Sequence, residues 1–533
     1  MATIVSSLDP SLPGIPSLAR RPEANGTASE PQLDLDTLDV KRADVRREPH
    51  LSKSRFVAGL QCPKMLWWTV HEPDALELVA GPDLQARFDR GHEVGAAART
   101  RVPGGVLIDL PPYQLAQRVA ATTRAIAERA PVIYEASFFE EGVFVSVDIL
   151  ERKRNGFLLV EVKSTLDVKD AHLPDVAIQL HVVQRAGLTV KRAELMHLNR
   201  ECRHPDLSNL FVRENVTTLA TSSVRAIPRK IRSLLGTLRG PLPVVQTGSH
   251  CTEPYECPFM ERCWPPQPKH HLSTLYHLNK NKREQLLGQG YETILDLPRD
   301  FTATGPARRQ IQSVRRGRTI VERGLGEALK EIAPPIAFLD FETVSPAIPT
   351  WPGCRPYDQV PVQFSCHVVS AKRMVHHAWL ASGAGDPRAA FAQALLDACR
   401  GAKTVLAYNA PFERRCIAGL IDAVPRFARK LAALQDCVED LLPIVRDHVY
   451  HPAFQGSFSI KNVLPALVPG MGYDDLEIQD GGAASAALES LLFGGETLNA
   501  VETKALRRKL LRYCERDTLA MVRLHERLRE LAR

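Results

Sequence analysis

The run IAFLDFET, Ile336 to Thr343, places an aspartate and a glutamate two residues apart at the far end of an apolar segment. Its length and composition predict a buried strand. Strand side chains alternate faces with a period of two, so Asp340 and Glu342 point the same way. Two carboxylates on one face at the end of an apolar strand repel each other unless a cation stands between them. A hard divalent ion such as Mg²⁺ or Mn²⁺ fills that role. A strand ending in a solvated acidic turn would read the same, so the rest of the chain decides.

A second constellation lies in PVIYEASFFEEGVFVSVDILERKRNGFLLVEVKSTLDVKD. Apolar and polar residues alternate, with Gly142 and Asn155-Gly156 as turns, which predicts an antiparallel meander of three strands. Asp148 ends one apolar run, and Glu161-Val162-Lys163 ends the next with Glu161 and Lys163 on one face. Carboxylates that hold a water-activating metal, beside a lysine that orients the water or offsets developing negative charge, suit phosphodiester hydrolysis. The helix expected next, DVAIQLHVVQRAG, turns Gln179 back towards this site. Upstream, the helix-like stretch Asp83 to Arg101 carries His92 in its middle.

Further acids follow in the second half. AKTVLAYNAPFERRCI gives an apolar strand, then Asn409, then Glu413 at the start of a helix. ALQDCVEDLLPIV sets Asp436 and Asp440 one turn apart if it is helical. KLLRYCERDTLAMVRLHERL has helical periodicity, with Tyr513 and Asp517 at i and i+4 on one face. Acidic groups far apart in sequence, each beside an apolar element, are what a two-metal site assembled by a fold requires. Ser457, Ser459 and Lys461 lie between these motifs, where they would line a groove.

The elements that position these groups sit in a chain of 533 residues, too long for one core. Residues 1–48, rich in Pro, Ser, Asp and Arg without periodicity, read as a disordered tail. Order is expected from Leu51, where a serine is placed to cap a helix. Residues 266–334 turn helical and basic. NKNKREQLLGQGYETILDLP resembles a helix-hairpin-helix with Gly288 and Gly290 in the hairpin, a geometry that offers backbone N–H groups to a phosphate. The arginines of ARRQIQSVRRGRTIVERG would then contact a nucleic-acid backbone; a linker with a solvated basic face is the alternative. The net charge of +7 is compatible with a polyanionic partner. No apolar run approaches the roughly 18 residues of a membrane span, and the N-terminus lacks a signal pattern, so a cytoplasmic protein without a membrane partner is expected.

Eleven cysteines without an export signal point to thiols or metal ligands rather than disulfides. Cys62 precedes the meander; Cys251, Cys257 and Cys263 follow it, each pair separated by five residues. A four-cysteine zinc site is one reading, although these gaps exceed the two to four residues usual for a zinc ribbon. Cys202 lies off the pattern.

Taken in order, His92, Asp148, Glu161, Lys163 and Gln179 resemble the motif set of RecB-type nucleases of the PD-(D/E)xK superfamily, with Glu135 matching a further acid often present. The split cysteines resemble the staple of such nucleases, which implies a [4Fe–4S] cluster on Cys62, Cys251, Cys257 and Cys263. The series D-x-E, N-x-x-F-acid and Y-x-x-x-D resembles the DEDD exonucleases of the DnaQ-like, RNase H-type fold, in the variant whose tyrosine positions the attacking water. Glu413 stands where that family usually has aspartate, with Asp440 as the fallback acid. The whole is similar to a bacterial family of unknown function that joins the two modules.

The resemblance implies an α/β chain: a restriction-endonuclease-like domain over residues 49–265, a helical connector over 266–334 and a DnaQ-like domain over 335–533. It implies Mg²⁺- or Mn²⁺-dependent nuclease action on nucleic acid, DNA favoured over RNA. Asp148, Glu161 and His92 would bind metal with Lys163 catalytic and Gln179 supporting. In the second domain Asp340, Glu342, Glu413 and Asp517 would bind metals, Tyr513 would orient water, and cleavage would run 3′ to 5′. A binding or assembly factor with one dead site, and a zinc-stapled interaction scaffold, stay open beside it.

Overall fold

Ser52 accepts a hydrogen bond from the backbone N–H of Arg55 at 3.2 Å and starts the helix Lys53–Gln61, the capping role its position predicts. The computed structural model describes residues 49–533 except Lys372 and residues 495–497. The tail expected over residues 1–48 lies outside the described residues.

The alternating segment forms the expected meander. Its strands are β3 (Val132–Glu140), β4 (Val143–Lys153) and β5 (Gly156–Lys163), paired antiparallel. They belong to a seven-stranded mixed sheet with β1 (Leu51–Ser52), β2 (Gly105–Leu107), β6 (Val190–Leu198) and β7 (Phe211–Asn215). The order is β2-β3-β4-β5-β6-β7, with β1 alongside β4. A crossover through the helix Leu173–Arg185 makes β5 and β6 parallel. Residues 176–183 of that helix are buried without a break, so it packs on more than one face.

The connector departs from expectation. The helix Lys280–Gly288 ends in a left-handed cap at Gly290, φ 87°, whose N–H bonds the Leu287 carbonyl at 3.0 Å. The chain then runs as turns, pinned by Asp296 accepting from Thr293 N–H at 2.7 Å, and the next helix starts only at Gly305. No short hairpin between two helices forms here, and Gly290 terminates a helix rather than opening one towards a phosphate. The arginines are also largely engaged: Arg308 and Arg309 pair with Glu322, and Arg315 donates to the Leu297 carbonyl at 2.6 Å. Arg316 and Arg318 stay exposed.

The connector's β8 (Ile320–Val321) leads into the second sheet, built from β9 (Ile336–Val344), β10 (Val360–Val369), β11 (Met374–Leu380), β12 (Thr404–Ala407) and β13 (Val438–Asp440). The order is β11-β10-β9-β12-β13, antiparallel from β9 outward to β11 and parallel from β9 through β13. β14 (Val449–Tyr450) returns to pair with β8. A second tie to the connector passes through Gly456, φ 81°, where an added Cβ would collide with the Thr274 carbonyl oxygen. Gly456→Ala is expected to lower stability by about 2 kcal/mol, read as a fall in Tm.

Residues 49–533 hold together as one compact unit. A seam joins the two sheets: Val94, Leu198, Cys202 and Leu210 pack with Ala347, and the Tyr357 hydroxyl donates to the Ser164 carbonyl at 2.5 Å. Cys202 is thus a buried packing residue. The loop that follows Glu342 on one sheet therefore rests on the residue that follows Lys163 on the other.

Candidate functional site

The C-terminal helix, Ala500–Leu531, opens with a capping box in which Asn499 accepts from Glu502 N–H at 3.0 Å and Glu502 accepts from Asn499 N–H at 2.9 Å. It lies across the face of β9 that carries Asp340 and Glu342, and it brings Asp517 to them. One carboxylate oxygen from each of the three lies within 4.8 Å of the others. Glu413 occupies the first turn of the helix Pro411–Ala423, directly after β12 and Asn409, and is 3% exposed. Its Oε2 is buried with no hydrogen-bond partner, and its charge acts on both Asp340 and Glu342. The longer acid has turned into the cluster.

Burial and the charge of Asp517 push Asp340 and Glu342 well above the usual carboxylate range. Burial takes Glu413 up to about 8. Asp517 rises less, to about 6; burial raises it, but Tyr473, Lys461 and Tyr513 favour its charged form. The Tyr473 hydroxyl donates to Asp517 Oδ1 at 2.5 Å, and the Lys461 ammonium lies 5.6 Å from the Tyr473 ring and 5.9 Å from the Tyr513 ring. The Cys514 thiol donates to Asp340 Oδ2 at 3.5 Å. Tyr473 was not legible in the sequence, since a tyrosine in the Gly- and Asp-rich loop GMGYDDLE carries no periodic signal.

Four carboxylates gathered in a largely buried place, one with an orphaned oxygen, fit one or two hard divalent ions. Protons compete with those ions for the same oxygens. In the metal-free protein each raised carboxylate favours the fold while protonated; that stability is present below about pH 4 and lost as pH rises through the folded-state values near 6 and 8. Mn²⁺ affinity is expected to strengthen over the same window, about tenfold per pH unit for each proton displaced, and calorimetric titration from pH 6 to 9 checks it.

Asp436 and Asp440 do not share a helix. Asp436 is exposed at the end of the helix Ala428–Asp436, whereas Asp440 closes β13 and caps the helix Leu441–His448. Asp440 Oδ1 accepts from Leu442 N–H and Asn409 N–H, both at 2.9 Å, so it holds the turn before Glu413.

The first sheet builds the other site. Pairing of β3 with β4 runs Tyr134 to Ile149 and Ala136 to Val147, and skips Glu135 and Asp148. Glu135 takes φ 57°, an uncommon conformation for a residue with a Cβ, and accepts from the Ser146 hydroxyl at 3.0 Å. Asp148 Oδ2 accepts from Val162 N–H at 2.6 Å, a side chain standing in for a ladder bond. Glu161, 1% exposed, accepts from Lys53 at 2.6 Å, Lys163 at 2.9 Å and Gln179 at 2.5 Å. Lys163 also pairs with Asp175.

Burial, then Glu161, push Asp148 up to about 7. Burial alone would raise Glu161 too, but the Lys53 and Lys163 ammoniums outweigh it and hold Glu161 well below the usual range. Lys53 thus puts positive charge beside Glu161 and Asp148, where a divalent ion would otherwise supply it. Lys53 and Asp175 carry no signal in the sequence: both sit in the first turns of helices, and only the fold brings them to the acids. His92 is exposed on the helix Pro82–Arg101 and, among the described residues, makes no hydrogen bond or ion pair.

Cys62, Cys251, Cys257 and Cys263 line one cavity with Trp68 and Phe259. Cys62 sits between the helices Lys53–Gln61 and Pro63–His71. Gln61 donates to the carbonyls of His250 and Tyr255, and Arg262 pairs with Glu72 and Glu77, so residues near 62 and near 257 are laced together. Among the described residues, no three of the four sulfurs lie within 4.8 Å of one another.

A family model described as a domain of unknown function (DUF2779) matches residues 337–459, which hold Asp340, Glu342 and Glu413. No curated protein matches the sequence. Among solved structures the chain is similar to the crystal structure of SSO0001, at 12% identity with a TM-score of 0.23, over 43% of this chain and 92% of that one. The described residues have a mixed α/β architecture, and no helix among them is long and apolar enough to cross a membrane.

Proposed function

We propose that this chain is a metal-dependent nuclease with two phosphodiester-hydrolysing sites: a RecB-type site on the first sheet and a DnaQ-like, RNase H-type site on the second. One observation carries the reading: Asp340 and Glu342 from β9 and Asp517 from the C-terminal helix converge within 4.8 Å, and Glu413, from a third element, adds its charge and a buried, unpartnered oxygen. Burying four like charges is costly without a cation, so the arrangement is explained by one. The strand order of the second sheet and the meander of the first suit these two fold families.

Bound Mg²⁺ or Mn²⁺ would supply Lewis-acid activation of water and charge neutralisation at the scissile phosphate. The four acids of the second site would hold the ions. Tyr513 and Tyr473 hydrogen-bond Asp517, and Tyr513 would orient the attacking water in 3′-to-5′ removal of nucleotides. Lys461 would meet the substrate's negative charge. In the first site Asp148 and Glu161 would hold the ion, Gln179 orients Glu161, and Lys163 offsets charge developing on the phosphate. DNA is the favoured substrate over RNA.

The four cysteines are read as the ligands of a [4Fe–4S] cluster, supported by their meeting around one cavity and by the contacts that lace the two ends of the first module. Anaerobically purified protein is expected to hold about four irons per chain. Cys62→Ser should lose the iron and its visible charge-transfer absorption, and Tm should fall by several degrees. Colourless protein holding one zinc would favour the scaffold reading.

The direct test of the nuclease reading is incubation of wild-type protein with end-labelled single- and double-stranded DNA and RNA, with Mn²⁺ or with EDTA. Shortening of a labelled strand only when Mn²⁺ is present supports it. Strands left whole in every condition refute it.

A further inference from the structure

We propose that His367, His376 and Glu515 form a separate site for a borderline transition-metal cation of the Zn²⁺ type, which pins the C-terminal helix to the outer strands of the second sheet. One ligand atom from each of the three lies within 4.8 Å of the other two. His367 on β10 and His376 on the edge strand β11 are directly paired across the antiparallel ladder, their rings stacked 4.4 Å apart. Glu515 reaches them from the helix. None of the three belongs to the acidic cluster, and the site does not rest on the nuclease reading.

The hydrogen bonds around the imidazoles are those of a prepared ligand pair. Thr518 Oγ1 donates to the Glu515 carbonyl at 3.1 Å, and the Ser365 and Thr518 hydroxyls lie 2.6 Å apart. With the Thr518 proton so placed, Ser365 donates to Thr518. His367 Nδ1 then donates to Thr518 at 2.8 Å, and His376 Nε2 donates to Ser365 at 2.9 Å. Each ring is held through one nitrogen by an outer partner, as metal-bound histidines are, and its other nitrogen carries a lone pair.

His376 Nδ1 is one of these, and it faces Glu515 Oε1 at 3.6 Å. That is beyond hydrogen-bond length, and two lone pairs so opposed repel unless a cation lies between them. The separation is near the roughly 3.3 Å expected between ligands on a tetrahedral ion with bonds of about 2.0–2.1 Å. Two imidazoles and one carboxylate select zinc, cobalt or nickel over magnesium. Thr518 directly follows Asp517, and Ser365 is paired in register with Asp340. An ion here would fix the helical turn that presents Asp517 to the acidic cluster.

Co²⁺, whose bound state shows visible d–d bands, is the probe, titrated into full-length protein with excess Mg²⁺ on the acidic cluster. One tight equivalent is expected. It should weaken about tenfold or more in both His376→Gln and Glu515→Gln, while Asp340→Asn and Cys263→Ser keep it. His376 and Glu515 are both partly exposed, and circular dichroism melts confirm that each variant is folded. Wild-type binding that the His376→Gln and Glu515→Gln variants reproduce, or Co²⁺ binding lost only in Asp340→Asn or Cys263→Ser, overturns the site. So does a wild type that takes up no Co²⁺ at all, which would leave a protonated His376 facing Glu515 as the occupant.

Discussion

Asp340→Asn should abolish cleavage at the second site and, at the same time, make the metal-free protein more stable. Asp340 is the acid on which burial, Asp517, Glu342 and Glu413 all converge. An amide keeps the shape but cannot ligate a hard cation as a carboxylate does, and transition-state stabilisation worth several kcal/mol should go with it. At about 1.4 kcal/mol per tenfold, the loss is on the order of a thousandfold or more. Without metal, the same change relieves repulsion among four acids and is expected to add about 0.5–2 kcal/mol. Tm without metal should rise above wild type, and the increment Mn²⁺ gives wild type should shrink. A variant that is both inactive and less stable would mean that Asp340 serves packing, not ligation.

Lys163→Ala should remove cleavage at the first site by a comparable factor while leaving the second intact. Lys163 bridges Glu161 and Asp175, and under the proposed mechanism its ammonium would meet the charge developing on the phosphate. The fold should survive, because Lys53 still neutralises buried Glu161 and Asp175 is partly exposed to water. A stability cost of about 1–3 kcal/mol is expected from the lost pairing. Lys163→Arg should retain charge and most of that stability, yet recover little activity, since the bulkier fork does not fit between the two acids. Full activity in Lys163→Ala would remove this lysine from the chemistry.

What the sequence made legible follows periodicity. Asp340 and Glu342 were readable because an apolar run ended in them and a strand has a period of two. Tyr513 and Asp517 were readable because i and i+4 share a helix face. Gln179 follows the meander on the next helix, as the motif order of the resemblance has it, and bonds Glu161. What failed were residues whose roles depend on where a regular element begins or ends. Asp436 and Asp440 looked helical together, but Cys437 ends one helix and Asp440 starts another, so one acid is solvated and the other is a cap. Gly288 and Gly290 looked like a hairpin, but Gly290 is a C-terminal cap followed by turns. Lys53, Asp175 and Tyr473 come from helix starts and a loop, and only the tertiary fold brings them to the acids. His92 has the order of the motif set and sits exposed on its helix.

The most direct measurement of the central claim compares products from wild type, Lys163→Ala and Asp340→Asn on end-labelled DNA and RNA with Mn²⁺, separated at single-nucleotide resolution. Two independent sites predict that each substitution deletes a different class of product and that the double variant cuts nothing. Identical products from wild type and both single variants would contradict the account, because neither constellation would then be doing the hydrolysis.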